Sequence, residues 1–259
     1  MRFKLTLLTD KKAFGNQLPL NYQYELSAFV YRSIAQADRD YALWLHENGF
    51  RLEGKPFKLF TFSNLLITQY KIDKNSDRIR IESDRVEWLV SFLPETATEK
   101  FVHGLFSEQV FQIGDKKSVV QFRIAQIEVL PMPTFEPEMR FRTLSPASIS
   151  YRKEEERYPD YISPEHPEAA GIVLNNLLNK YHTFYGKPYE RKIDFTFQPT
   201  NKPRTKLIKI KSGMPEETFI RGYLFEFKMR ADVELMRVMY ASGIGEKGSQ
   251  GFGMVEIMG

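Results

Sequence analysis

Three observations predict an α+β protein made of two tandem ferredoxin-like (RRM-like) βαββαβ domains. Apolar residues recur with period two or with helical spacing in the order strand, helix, strand, strand, helix, strand. Pro131-Met132-Pro133 then interrupts the chain. The same order of patterns restarts after it, although no repeat is visible residue by residue. The expected domains are residues 1–130, which hold the candidate catalytic side chains, and 134–259, which hold a glycine-rich loop.

The first strand is expected at 2–8, where Phe3, Leu5 and Leu7 alternate with polar residues. Asn21 is a good N-cap for a helix over 22–37, whose apolar stripe is Leu26, Val30 and Ile34. A shorter helix over 38–47 is stopped by Gly49. Residues 55–67 read as one strand and 69–81 as its partner, with the turn-forming run 73–77 between the ends of the latter. A helix over 94–106 and a strand over 118–129 complete the first unit. In the second, strands are expected within 139–149, at 191–197, 206–210, 218–229 and 254–258, and helices at 166–181 and 232–240, with one irregular insertion.

Composition narrows the function. The 259 residues contain no cysteine, so disulfides, thiolate nucleophiles and thiolate metal sites are excluded. A net charge of +4, from 37 Lys+Arg against 33 Asp+Glu, leans toward acidic partners. No apolar run is long enough for a membrane span, and the N-terminus lacks a signal-peptide pattern, so a cytoplasmic protein with no membrane partner is expected.

Five of the 15 glycines stand between positions 243 and 253, just before a strand-like end. Glycine is placed where the backbone needs positive φ or a close approach. Gly243, Gly245 and Gly248 satisfy a dinucleotide-type spacing, but a helix precedes them and too little chain follows for that site. A Walker loop fails because Ser249 follows Gly248 without the required Gly-Lys-Ser/Thr. Lys247, Ser249 and Gln250 among the glycines suit a polyanion; a plain helix-to-strand connection would show the same glycines.

Basic residues gather at Lys202, Arg204, Lys206, Lys209 and Lys211. Interleaved with Leu207, Ile208 and Ile210, they would set most of the charge on one strand face, facing RNA, or guard a solvated edge strand. No His-Glu-x-x-His or paired-aspartate cluster supports a metal site. Metal-free acid–base chemistry then falls to histidine, and His46, His103, His166 and His182 are not separated by composition.

Several blocks occur in a telling order: Asn21-Tyr22 after Leu18-Pro19-Leu20, Tyr31, Leu45-His46-Glu47, Gly49-Phe50, and the run from Phe57 to Ser63. With Gly243-Ile244-Gly245 and Gly251-Phe252-Gly253, the chain resembles the CRISPR-associated endoribonucleases that cut precursor CRISPR RNA within its repeats. This is the Cas-six family of the repeat-associated mysterious proteins, and the resemblance spans both halves. It implies the tandem ferredoxin-like fold, a catalytic Tyr31, His46 and Lys58 (Lys55 being an alternative to Lys58), and no cofactor or metal. It implies attack of a ribose 2′-OH on the adjacent phosphate, leaving a 2′,3′-cyclic phosphate and a 5′-OH. Gly243, Gly245, Lys247, Ser249, Gly251 and Gly253, together with Lys202, Arg204, Lys206 and Lys209, would meet CRISPR repeat RNA. A CRISPR effector complex is a further partner on this reading, with the protein a monomer or homodimer.

Overall fold

The computed structural model describes residues 1–152, 159–212 and 215–258. The alternating N-terminal pattern becomes the strand Arg2–Asp10, with Phe3, Leu5 and Leu7 buried. It lies between Val119–Leu130 and Arg85–Phe92, both antiparallel to it, and Phe60–Phe62 extends the sheet beyond Arg85–Phe92. In chain order the sheet therefore reads fourth, first, third, second, the ferredoxin-like arrangement. Helices α1 (Gln23–Ala37) and α3 (Glu95–Ser107) pack on it, with Phe29 against Trp88 and Phe3 against Phe101. Between α1 and the next strand comes α2 (Arg39–Glu47), capped by the Asp38 carboxylate, which accepts from the Tyr41 amide.

The second sheet repeats the plan. Thr196–Pro199, Glu226–Arg230, Glu138–Thr143 and Val255–Ile257 lie in that spatial order, again second, third, first, fourth along the chain. Its helices are α4 (Ala169–Tyr185) and α5 (Val233–Ser242), around a core that includes Phe141, Val173, Leu177, Phe227 and Met236. The expected insertion is a hairpin of Arg204–Ile210 with Thr218–Leu224. Arg2 ties the halves together: its buried guanidinium donates to the main-chain oxygens of Val255 (2.8 Å) and Tyr240 (2.6 Å) and stacks on the Tyr240 ring.

Three expectations are corrected. Residues 55–67 form no single strand: Lys55–Phe57 folds back on Phe50–Leu52, Leu59 turns to a left-handed φ of 54°, and only Phe60–Phe62 and Leu66–Ile67 join the main sheet. Residues 69–81 do not pair with that segment. Tyr70–Asp73 and Arg78–Ile81 make a hairpin with each other, flanked by Gln17–Pro19, and the sheet's third strand is Arg85–Phe92. Asn21 does not cap α1, which starts from Tyr22 without a side-chain cap, because the entry is fixed instead by the buried Tyr22 ring and its hydroxyl bond from the Leu65 amide. Among the described residues no helix is long and apolar enough to cross a membrane.

Candidate active site

Tyr31 sits half-buried on α1, packed edge-on against Phe60 of the neighbouring strand. His46 stands exposed in the last turn of α2, with its ring edge-to-face on Tyr31 at 5.0 Å between centroids. Lys58 reaches the same helix end, where its ammonium donates to the His46 carbonyl at 2.8 Å. That carbonyl is among those a helix leaves without an internal partner, and its partial negative charge draws a cation. The approach depends on Gly49, whose φ is +61°. A methyl group there would stand 2.7 Å from the Phe57 oxygen and 2.9 Å from Lys58 Cδ. The strand ends at Phe57 and the chain turns at Leu59, so Lys58 leaves the hairpin while Lys55 remains exposed within it.

Burial pushes the Tyr31 phenol well above the ordinary tyrosine range, and a hydrogen bond with the Ser249 side chain offsets part of this. The group is thus held as a neutral hydroxyl. Burial, and then the neighbouring Arg51 charge, lowers the Lys58 ammonium from its usual value. Among the described residues no carboxylate pairs with Lys58 or Arg51, so His46, Lys58 and Arg51 form an uncompensated basic corner beside a phenol. Such a corner suits a phosphate that gains charge during reaction. Arg51 was not singled out in the sequence, where it falls between the expected helix over 38–47 and the expected strand over 55–67.

Ser249 comes from the other half of the chain. After α5 the segment 243–253 crosses to the first domain, and its short 3-10 turn Gly248–Gln250 lies against α1 and Phe60–Phe62. The Ser27 hydroxyl donates to the Ser249 carbonyl at 2.7 Å, and the Thr61 hydroxyl to that of Phe252 at 2.8 Å. Gly243, Gly245, Gly251 and Gly253 are all buried at positive φ. A Cβ would lie 2.4 Å from the Phe62 ring at Gly251, 2.3 Å from the Ser148 oxygen at Gly245 and 2.0 Å from the Ile244 oxygen at Gly253. Close protein packing therefore accounts for these glycines, and the exposed group of the loop is Lys247. Sequence reasoning missed the buried Lys180 of α4, whose ammonium donates to the carbonyls of Gly243 (2.7 Å) and Gly245 (2.9 Å), with that of Ser242 at 3.4 Å.

Lys202, just before the inserted hairpin, and Arg204 and Lys206 on it are exposed, whereas Lys209 pairs with Glu217 at 3.4 Å and lies over Phe219. The charge does not share one face. Period two puts Arg204 and Lys206 on the side of the buried Ile208 and Ile210, and Lys209 on the side of exposed Leu207. Lys206 and Ile208 help line a cleft of about 220 Å³, opposite Gln23, Asn64 and Tyr70 of the first half. The remaining histidines lie elsewhere: His103 on α3, His182 in the last turn of α4, and His166 ahead of α4, accepting at Nδ1 from the Glu168 amide. Among the described residues no three His, Cys, Asp or Glu side chains gather as a metal site.

Known proteins resemble this chain along its whole length. Residues 17–124 match the family described as CRISPR-associated protein Cas6, N-terminal, and residues 130–257 the one described as CRISPR associated protein Cas6, C-terminal. A CRISPR-associated endoribonuclease Cas6 of Methanocaldococcus jannaschii is 30% identical, over 98% of this chain and 92% of the relative. A CRISPR-associated endoribonuclease Cas6 of Pyrococcus furiosus is 28% identical, over 100% and 90%. A solved structure described as a RAMP protein binding different RNA substrates superposes with a TM-score of 0.81 at 25% identity, covering 100% of both chains. With two sheets of ferredoxin-like order, a glycine-rich loop joining them and this similarity from end to end, the chain belongs to the Cas6 family of CRISPR-associated proteins.

Proposed function

We propose that this protein is an endoribonuclease that cuts precursor CRISPR RNA within its repeats by metal-independent transesterification. The observation that carries the reading is the convergence of Tyr31, His46 and Lys58, from three separate elements, on one exposed basic corner. The names of the similar proteins supply the substrate class. In the reaction the ribose 2′ oxygen bonds to the adjacent phosphorus, the bond from phosphorus to the 5′ oxygen breaks, and a 2′,3′-cyclic phosphate and a 5′-OH remain. The His46 imidazole gives the departing 5′ oxygen its proton, and the 2′-OH proton passes to water. The Lys58 ammonium, with Arg51 beside it, balances charge on the phosphoryl oxygens. Tyr31, kept neutral by burial, orients the attacking hydroxyl and does not take its proton.

The RNA is held across two domains, 1–130 and 134–259. The cleft between Tyr70, Gln23 and Lys206 opens at the start of α1, about 12 Å along the helix from Tyr31 at 1.5 Å per residue. Lys202, Arg204, Lys206, Lys209 and Lys247 supply phosphate contacts, and Ser249 meets the RNA beside Tyr31. A product held after the cut would pass to a CRISPR effector complex.

The test is incubation of wild-type protein and His46→Ala with the cognate repeat RNA in EDTA. A discrete cut ending in a cyclic phosphate, lost in the variant with binding retained, is the expected result. Tight binding without any cut would make the protein an RNA-holding subunit instead.

A further inference from the structure

Lys180 is a lysine with no place in the reaction and no exposure to RNA, yet its environment is unusual. It projects from α4 into the interior, 6% exposed, and its three protons meet main-chain oxygens rather than a carboxylate. Those oxygens belong to the C-terminal end of α5 and to the first residues of the glycine loop, carbonyls that have no helical partner of their own. Burying a lysine is unfavourable unless its protons are satisfied, and here the whole satisfaction comes from one loop. Burial brings its pKa down to about 7, with Glu246 the charged group that opposes the shift. Glu246 is itself fixed, accepting from the Ser150 hydroxyl while its amide bonds the Ser148 carbonyl.

The loop so anchored leads directly to Ser249. From Gly245 the chain passes through Glu246 and Lys247 into the 3-10 turn, which lies against α1, the helix of Tyr31, and whose Ser249 carbonyl accepts from the Ser27 hydroxyl. We infer that Lys180 is a positioning residue for RNA cleavage: by fixing the carbonyls of Ser242, Gly243 and Gly245 it sets where the glycine loop delivers Ser249 to Tyr31. The inference rests on the reading of Tyr31 as part of the cleavage site.

The experiment is a double-mutant cycle on single-turnover cleavage of repeat RNA, with the RNA dissociation constant and thermal midpoint measured for every variant. Lys180→Met keeps length and removes the donors; Lys180→Gln keeps two donors and serves in the same cycle if the methionine variant does not fold. Displacement of a positioning group at this distance from the chemistry is expected to slow cleavage about 10- to 100-fold with RNA affinity within about threefold of wild type. In a Ser249→Ala background the same substitution should cost little further rate, while its effect on the thermal midpoint persists. A rate loss that simply multiplies that of Ser249→Ala, a loss confined to affinity, or a folded variant cutting at the wild-type rate would each overturn the inference. Both Lys180 variants failing to fold would overturn it as well, because the residue's role would then be to hold the fold. If His46→Ala and Tyr31→Phe also cut normally, it is the underlying assignment of the site that fails.

Discussion

The Lys58 ammonium is bonded to the main-chain carbonyl of His46 at 2.8 Å, which holds the cation at the end of α2 that carries the imidazole. The bond explains why Lys58, and not Lys55 exposed in the preceding hairpin, is the lysine of this corner. Lys58→Ala is expected to lower single-turnover cleavage about 100-fold, the range for removal of one charge-stabilising donor, with Lys58→Arg intermediate and Lys55→Ala near wild type. Cleavage surviving in Lys58→Ala but lost in Lys55→Ala would exchange their roles.

Gly49 makes that bond geometrically available. Its left-handed φ of 61° and the 2.7 Å approach to the Phe57 oxygen leave no room for a side chain. Gly49→Ala should therefore destabilise the protein by about 1–3 kcal/mol and slow cleavage through displacement of Lys58. Urea unfolding gives the first quantity. An unchanged cleavage rate in the folded variant would show that the Lys58 placement tolerates the shift.

Glu25 offers a pH-dependent readout away from the chemistry. Burial raises its carboxyl from 4.5 to about 7, against a partial offset from its own backbone hydrogen bond, and Oε2 has no hydrogen-bond partner. Because the folded value lies above the unfolded one, its contribution to stability is complete below about pH 4.5 and is lost as pH rises through about 7. At pH 8 the native state must hold a poorly solvated charge. Glu25→Gln should raise the thermal midpoint at pH 8 more than at pH 5. The difference should be about 1–2 kcal/mol once solvent contact of the carboxyl is allowed for, or about 2–6 °C. Equal shifts at both pH values would mean that the carboxylate is well solvated.

The legible and illegible parts of this chain have physical reasons. Arg2–Asp10 was readable because one of its faces is uniformly buried under α1 and α3, which preserves the period of two. Arg85–Phe92 escaped notice because alternation ends after Trp88: its far half is covered on both faces, with the end of α5 lying against it and Tyr240 meeting Ser91. The glycine loop was found by composition, but its glycines answer to Ser148 and Ile244 within the second half and to Phe62 of the first, contacts made only in the folded chain. Tyr31, His46 and Lys58 were pointed to by family likeness, since nothing local distinguishes a half-buried tyrosine or a helix-end histidine. Lys180 gave no signal at all. Between Asn179 and Tyr181 it reads as a solvated helix lysine, and its burial is set by the docking of α5 and the loop.

Arg204 and Lys206 project from the inserted hairpin toward the side that includes the cleft, without an ion pair among the described residues. If each neutralises one phosphate, Arg204→Ala and Lys206→Ala should each weaken RNA binding for all sequences alike. Each should also reduce the slope of log affinity against log salt by about 0.7, the single-strand value. Lys209→Ala should change the slope less, since Lys209 is already engaged by Glu217. Equal slopes in all variants would move the RNA path away from this hairpin.

In the proposed mechanism Tyr31 orients the 2′ hydroxyl without taking its proton. Burial keeps its phenol protonated far beyond neutral pH, and packing against Phe60 and His46 holds the ring, so on this reading its contribution is directional. Tyr31→Phe should then slow cleavage about 10- to 100-fold without altering the shape of the pH–rate profile, because no ionisation has been removed. A tyrosine acting as general base makes the opposite demand: the rate would climb with pH as phenolate forms, and the phenylalanine variant would lose that limb. Profiles measured from pH 5 to pH 9.5 distinguish the two, and parallel curves for wild type and Tyr31→Phe are the expected outcome. A limb present only in the wild type would require a phenol far more acidic than its buried surroundings permit, and would place the proton acceptor at Tyr31 after all.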